Sequence, residues 1–392
     1  MQTLRVSNLG PIKDASAAFG DLTVLVGPQA TGKSLFLQLL KLLLDVGPIR
    51  DELKRFNLDW KGSLENFLEL YLGEGMSGIY DAEHTHVEAD GKAVALTQLT
   101  GRGRRDKEEK MFFIPAQRVL SLREGLTRPF TDYRAGDPFV VREFSEKLHY
   151  LVQSEFARSS QLFPQAKRLK SEFRDLLSKH IFGGFGLKTD AERFQKRIVL
   201  IGPSSGASLP YLVWSAGQRE FVPLLLGLYW LIPSTRVSRR GGLEWVVIEE
   251  LEMGLHPNAI SVVMLLVLEL LHRGYKVCMS THSPHVLDVV WALQVMKRNQ
   301  GSEQDVRDLF SLRANPPTKA LAESTLGKEY RVVFFKRDGT TADISNLDPG
   351  AEDSAESGWG GLSEFSGNVG DIVARVVSRM EQQQGTQYGA ER

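Results

Sequence analysis

Cysteine is nearly absent: of 392 residues, only Cys278 carries a thiol. A disulfide framework within the chain is therefore excluded, and a reducing compartment fits. Net charge is absent too, since 48 Lys and Arg balance 48 Asp and Glu. That argues against a surface built as a whole to coat nucleic acid, and it confines possible DNA contacts to local basic patches at residues 102–107 and 236–240. Long hydrophobic runs are missing; the longest, residues 221–232 and 260–271, are too short or too interrupted to cross a bilayer. The opening MQTLRVSNLGPIKD has no apolar signal core. The expectation is a soluble, cytoplasmic protein with no membrane partner. No metal-ligand cluster stands out; His84 and His86, in DAEHTHVE, read as an exposed loop.

What is present is a globular composition, 42% hydrophobic and 24% charged, with length for one large or two ordinary domains. Alternating or continuous apolar runs predict strands at TLRVSNL, ASAAF, LTVLV, KMFFIPA, RIVLIGP, LPYLVW, LEWVVIEE and KVCMSTHS. Helical periodicity covers residues 31–45, 51–75, 216–232, 258–273 and 284–297. Residues 138–180 carry apolar positions at helical spacing among many charges, which predicts two or three amphipathic helices in an insertion or lobe. A hairpin is expected around Asp338-Gly339, then a mobile linker over 348–370, rich in Gly, Ser, Glu and Asp, and a short helix, DIVARVVSRMEQQ. Strands alternating with helices indicate an α/β fold whose sheet is covered on both faces.

Residues 27–34, GPQATGKS, fit G-x-x-x-x-G-K-S between a buried strand and a helix. Gly27 and Gly32 permit backbone angles that wrap amides around phosphate, with Pro28, Gln29, Ala30 and Thr31 between them. The helix N-terminus adds partial positive charge. Lys33 supplies a full charge near the β and γ phosphates, and the Ser34 hydroxyl is placed to ligate magnesium. The cofactors implied are ATP and Mg2+.

A second signal lies at residues 243–257, LEWVVIEELEMGLHP, where a buried strand ends in Glu249-Glu250. Carboxylates beside a core are costly unless paired, and a nucleotide-bound magnesium supplies the reason for them. Glu249 would hold the metal; Glu250 would position or deprotonate the attacking water. KVCMSTHSPH ends in a similar polar cluster, and His282 would lie level with the glutamates if the two strands are neighbours. Ser215, in LVWSAGQREF, stands in the capping position of a helix whose free N-terminus is a ready anion site.

Together, GPQATGKS, WSAGQ, VVIEELEMGLHP and STHSPH, in that order, resemble an ABC-type ATPase head, most closely the stand-alone branch of SMC-like, OLD-like and related bacterial defence ATPases. The opening VSNLGPIKD…LTVLVG and the segment FFIPAQR resemble that branch too. The resemblance implies a P-loop NTPase of ABC-ATPase type, a mixed sheet with a small helical insertion lobe. Residues 1–125 and 191–346 would form the two halves of the head, 126–190 the insertion, and 347–392 a flexible tail. It implies Glu250 as the catalytic glutamate, His282 as the switch histidine and Glu249 in the magnesium-holding position. Gln117 becomes a candidate magnesium-sensing glutamine, with Arg118 an equal candidate for a functional contact. Ser215, Ala216, Gly217 and Gln218 would be the signature motif, acting in trans on the nucleotide of a second copy. The implied partners are therefore the chain itself, in a homodimer or an assembly of dimers, and a separately encoded effector, a nuclease or toxin, in anti-phage defence. A DNA-binding repair or recombination ATPase of SMC-like type is the alternative.

Overall fold

The computed structural model describes residues 1–101, 108–157, 160–190, 196–204, 206–233 and 238–390, with backbone alone at 371 and 379–390. The chain runs β1 (Thr3–Leu9), β2 (Ile12–Ala18), β3 (Leu22–Val26), α1 (Lys33–Arg55), α2 (Leu64–Leu72), β4 (His86–Ala89), β5 (Lys92–Ala93) and β6 (Met111–Ile114). Next come β7 (Leu122–Arg123), β8 (Leu126–Thr127), α3 (Phe139–Tyr150), β9 (Gln161–Phe163), α4 (Ser171–Leu177), β10 (Gly186–Asp190), β11 (Arg197–Ile201) and β12 (Ser208–Leu209). The second half holds α5 (Ala216–Leu231), β13 (Trp245–Glu249), α6 (Pro257–His272), β14 (Lys276–Ser280), α7 (Pro284–Arg298), α8 (Glu303–Leu309) and α9 (Pro316–Leu326). It closes with β15 (Tyr330–Phe335), β16 (Thr341–Asp343), α10 (Ser354–Ser357) and α11 (Glu364–Ala390).

The central sheet has the order β6-β13-β14-β3-β15-β16. Its first five strands are parallel and β16 is antiparallel, so the sheet is mixed. Parallel strands need both faces covered, which explains the unbroken burial of LTVLV and WVVIE. Successive residues of a strand face opposite ways. Val24 and Val26 accordingly join the core under α5, α6 and α7, whereas Leu25 joins the core under α1 and α2. Cys278 is buried in that second core, and burial raises its thiol pKa, so it acts as a small apolar side chain. A second sheet, β2-β1-β4-β5, is antiparallel and lies against the central one through the Asp14–Thr340 bridge.

One buried ionic cluster fixes α1 on the sheet. Lys41 Nζ lies 2.9 Å from Asp45, 2.7 Å from Glu109 and 3.3 Å from Glu143, and donates to the Met111 carbonyl at 2.6 Å. The partners come from α1, the entry to β6 and α3, so the helix that begins at the phosphate loop is tied to the sheet edge. Opening such a buried cluster from one side costs about 3–5 kcal/mol.

Several expectations are corrected. LPYLVW is not a strand: β12 stops at Leu209, and Pro210, which has no amide N–H to give a ladder, leads into a 3-10 turn over Tyr211–Val213. Residues 51–75 are not one helix; α1 ends at Arg55 and α2 starts behind a Ser63 cap. The insertion is helical only in part. Beside α3 and α4 it contributes β9 and β10 to a four-stranded antiparallel sheet with β11 and β12. The linker expected over 348–370 is folded: Trp359 is 9% exposed, packs 6.2 Å from Trp291 and donates its indole N–H to the Leu347 carbonyl. Glycine content suggested mobility there, and one aromatic anchor outweighs it. The helix beyond is longer than DIVARVVSRMEQQ, starting at Glu364.

Candidate functional site

The strands β3, β13 and β14 run parallel and in register, Leu25 beside Ser280 and Ser280 beside Glu249. Their C-terminal ends therefore open on one edge, where ligands bind in open α/β sheets. The phosphate loop leaves β3, the glutamates end β13, and Thr281-His282 follow β14.

Gly27 has φ 137°, and a Cβ there would lie 2.2 Å from the Phe335 carbonyl oxygen; Gly32, at φ 94°, is the left-handed residue from which α1 starts. The loop thus needs glycine at both ends. Lys33 is buried, its ammonium donating to the carbonyls of Gly27 at 2.8 Å and Pro28 at 2.7 Å. Burial pulls its pKa down to about 8, while the nearby charges of Glu250 and Glu252 pull it back up. The Thr31 hydroxyl donates to the Pro28 carbonyl at 2.9 Å and braces the loop.

A cleft of about 340 Å³ lies between this loop and the two strand ends. Gln29, Ala30, Thr31, Gly32, Lys33 and Ser34 form one side; Glu250 and His282 form the other; Pro11, Met76 and Ile79 give it an apolar wall. His282 Nε2 lies 3.7 Å from Glu250 Oε1. Burial and the Lys33 charge hold the His282 pKa below its ordinary value, which favours the neutral ring at pH 7.

Glu250 sits at φ 44°, a left-handed angle that costs a non-glycine residue about 1–3 kcal/mol. Its main chain is held from both sides. Its amide donates to the Ser280 carbonyl at 2.9 Å, and Arg118 Nη2 donates to its carbonyl at 2.9 Å. Arg118 also donates through Nη1 to the Glu249 carbonyl at 2.9 Å and through Nε to the Glu220 carbonyl at 3.2 Å. Arg118, a candidate for a functional contact, does not line the cleft: the residue is 1% exposed and its guanidinium serves as a clamp on the acidic strand end. Gln117 is exposed at the start of the next 3-10 turn and does not line the cleft.

Glu249 is 2% exposed. Burial raises its pKa, offset in part by the Ser34 hydroxyl and by the Ala116 amide, which donates to Oε2 at 3.1 Å. Oε1 is buried with no hydrogen-bond partner. A buried carboxylate oxygen left unpaired beside a serine hydroxyl fits a magnesium ion, which takes oxygen donors and keeps water and phosphate as its other ligands. No group of three or more His, Cys, Asp or Glu gathers among the described residues. His84 instead pairs with Asp81 at 2.9 Å in an exposed turn.

Two groups, one behind the cleft and one lining it, escaped sequence reasoning. Glu252 Oε1 accepts the His282 amide at 2.6 Å, joining the acidic loop to the histidine. Gln38 lines the cleft with its Oε1 buried and unpaired. Its spacing of four from Ser34 puts both on one face of α1, a signal that was legible.

The helix α5 starts with a reciprocal cap: the Ser215 hydroxyl accepts the Gln218 amide at 3.2 Å, and Gln218 Oε1 accepts the Ser215 amide at 3.0 Å. Ser215 and Ala216 are exposed, and none of residues 215–218 lines the chain's own cleft. Leu212 and Val213, just before them, are 71% and 62% exposed. Of the two basic stretches, residues 102–107 lie outside the described residues. In the other, residues 236 and 237 also lie outside the described residues, and Arg240 pairs with Glu155 and covers the Trp230 ring at 3.7 Å, so Arg240 serves the fold.

Residues 141–288 match the family described as "AAA domain, putative AbiEii toxin, Type IV TA system". No curated protein matches the chain. Among solved structures, it is similar to an SMC head bound to the C-winged helix domain of ScpA, at 12% identity and TM-score 0.41, over 87% of this chain and 96% of that one. The SMC head domain from Thermotoga maritima is similar at 14% identity and TM-score 0.32, over 73% and 90%. A dimeric post-hydrolysis state of the ATP-binding cassette MJ0796 with ADP and Pi is similar at 12% identity and TM-score 0.32, over 87% and 98%. With a phosphate loop, an acidic strand end and a capped glycine-bearing helix set on one mixed sheet, and with an AAA-domain match over residues 141–288, the chain has the mixed α/β fold expected of a P-loop nucleotide-binding head.

Proposed function

We propose that this head binds ATP with magnesium and hydrolyses it to ADP and phosphate between two copies of the chain. The observation that carries the reading is the convergence of Lys33, Glu250 and His282 on one cleft. Lys33 and the loop amides would bind the β and γ phosphates, and Ser34 and Glu249 would hold magnesium, whose charge offsets that of the phosphates. Glu250 would take the proton of the attacking water, while the neutral His282 orients that water or the γ phosphate. The exposed Ser215 end of α5 would meet the γ phosphate of the partner copy, since it does not reach its own cleft. The flanking exposed Leu212 and Val213 support a buried position there in the paired state. Closing on ATP and opening after hydrolysis would control a separately encoded effector, a nuclease or toxin, in anti-phage defence. The matched family is described as a putative toxin of a type IV toxin–antitoxin system, which supports a role in a two-component system of that kind. Phosphate release by Glu250→Gln tests the chemistry: turnover should fall by about a hundredfold or more with ATP still bound, and unchanged turnover would remove Glu250 from the reaction.

A further inference from the structure

We propose that a second cleft, at the C-terminal end of α1 and built around Arg50, is an anion site for a phosphate-bearing ligand. This cleft, of about 760 Å³, is lined by Arg50 and Lys54 of α1, by Asn57, Asp59 and Lys61 of the turn that follows, and by Gly101.

Arg50 is 8% exposed. A buried guanidinium calls for a carboxylate, and among the described residues it has none. One Nη donates to the Gly101 carbonyl, Nε has no partner, and the group lies 5.5 Å from the centre of the Trp60 ring. Lys54, one turn on, lies 5.5 Å from the same ring. Two cations thus share one aromatic ring at a spacing where like charges repel. The negative end of the helix dipole accounts for basic residues in the last turn, Lys54 and Arg55. It does not account for Arg50, which is buried a turn earlier. Lys61 brings a third cation, and Asp59 is drawn into its own turn, where Oδ1 accepts the Lys61 amide at 2.9 Å. Three cations with no ion-pair partner among the described residues, one of them buried, suit the several oxygens of a phosphate group.

Trp60 is 3% exposed, so its ring is closed to a stacking base. Recognition therefore falls on phosphate alone, as a nucleic-acid backbone or as a free phosphate. The site does not rest on the ATPase reading, because Arg50 and Lys33 line different clefts.

The test uses the full chain and two probes. A labelled single-stranded oligonucleotide is followed by fluorescence anisotropy over a salt series. Inorganic pyrophosphate is followed by calorimetry in the Lys33→Ala background, which silences the nucleotide cleft. Arg50→Gln and Lys54→Glu should each weaken at least one probe by about tenfold, and the oligonucleotide salt slope should drop by about one for each lost contact. Loss confined to the oligonucleotide names nucleic acid as the source; loss confined to pyrophosphate names a free phosphate. Lys54 is exposed, so Lys54→Glu reports even if Arg50→Gln fails to fold. If neither probe binds, or if both bind the variants as tightly as the parent, the site is overturned.

Discussion

Gly217 and Gly254 approach so closely that a Cβ on Gly217 would lie 2.6 Å from the Gly254 carbonyl oxygen. Gly254 ends the acidic turn that carries Glu250 and Glu252, and Gly217 is in the first turn of α5. The helix start and the acidic turn are therefore packed backbone against backbone. A methyl group at 217 has backbone in its way, so Gly217→Ala should cost about 1–3 kcal/mol of stability. Displacing the acidic turn by a fraction of an ångström should also lower ATP turnover by about tenfold or more. Thermal unfolding and phosphate release measure both; a variant with unchanged turnover would show that the two elements are not coupled.

Lys33 gives the nucleotide cleft a pH dependence. Its ammonium is held to a pKa of about 8, against an ordinary 10.5, because burial disfavours the charged form. The protonated form binds phosphate, so ATP affinity is full below that value and falls as pH rises through it. Between pH 7 and pH 9 the apparent Kd should rise about tenfold. Titration of a fluorescent ATP analogue across that range measures it, and a flat profile would contradict the assignment.

Glu249 predicts opposite effects with and without ligand. Its carboxyl pKa is raised by burial, so ionising it costs stability once pH exceeds the ordinary carboxylate range. Glu249→Gln removes that cost, and the melting temperature without nucleotide should stay level or rise. A ligand at a hundred times its Kd stabilises by about 2.7 kcal/mol, and the variant should lose most of that gain with magnesium and ATP. A full ligand-induced shift in Glu249→Gln would place the metal elsewhere.

The head was largely legible in the sequence because its strands are continuous apolar runs and its motifs stand where those strands end. Leu22–Val26, Trp245–Glu249 and Lys276–Ser280 are five-residue buried strands, and the phosphate loop, the glutamates and His282 follow from them. Residues acting through main-chain carbonyls were not legible. Arg118 reads as a cation near a functional segment, and only the fold shows it bonded to the carbonyls of Glu249 and Glu250. Pro210 was visible but outweighed by the apolar YLVW after it. Glycine and serine around Trp359 masked a single packing contact with Trp291, which no composition window can register.

The central claim is that two copies meet across ATP, with Ser215 of one at the nucleotide of the other. Glu250→Gln, mixed with ATP and magnesium and sized by light scattering, should at least double in mass relative to the nucleotide-free protein. Adding Ser215→Arg should leave ATP binding intact and abolish that increase, because the substitution puts a long side chain at an exposed helix start that the chain's own cleft does not use. An ATP-dependent mass increase that survives Ser215→Arg would contradict the account.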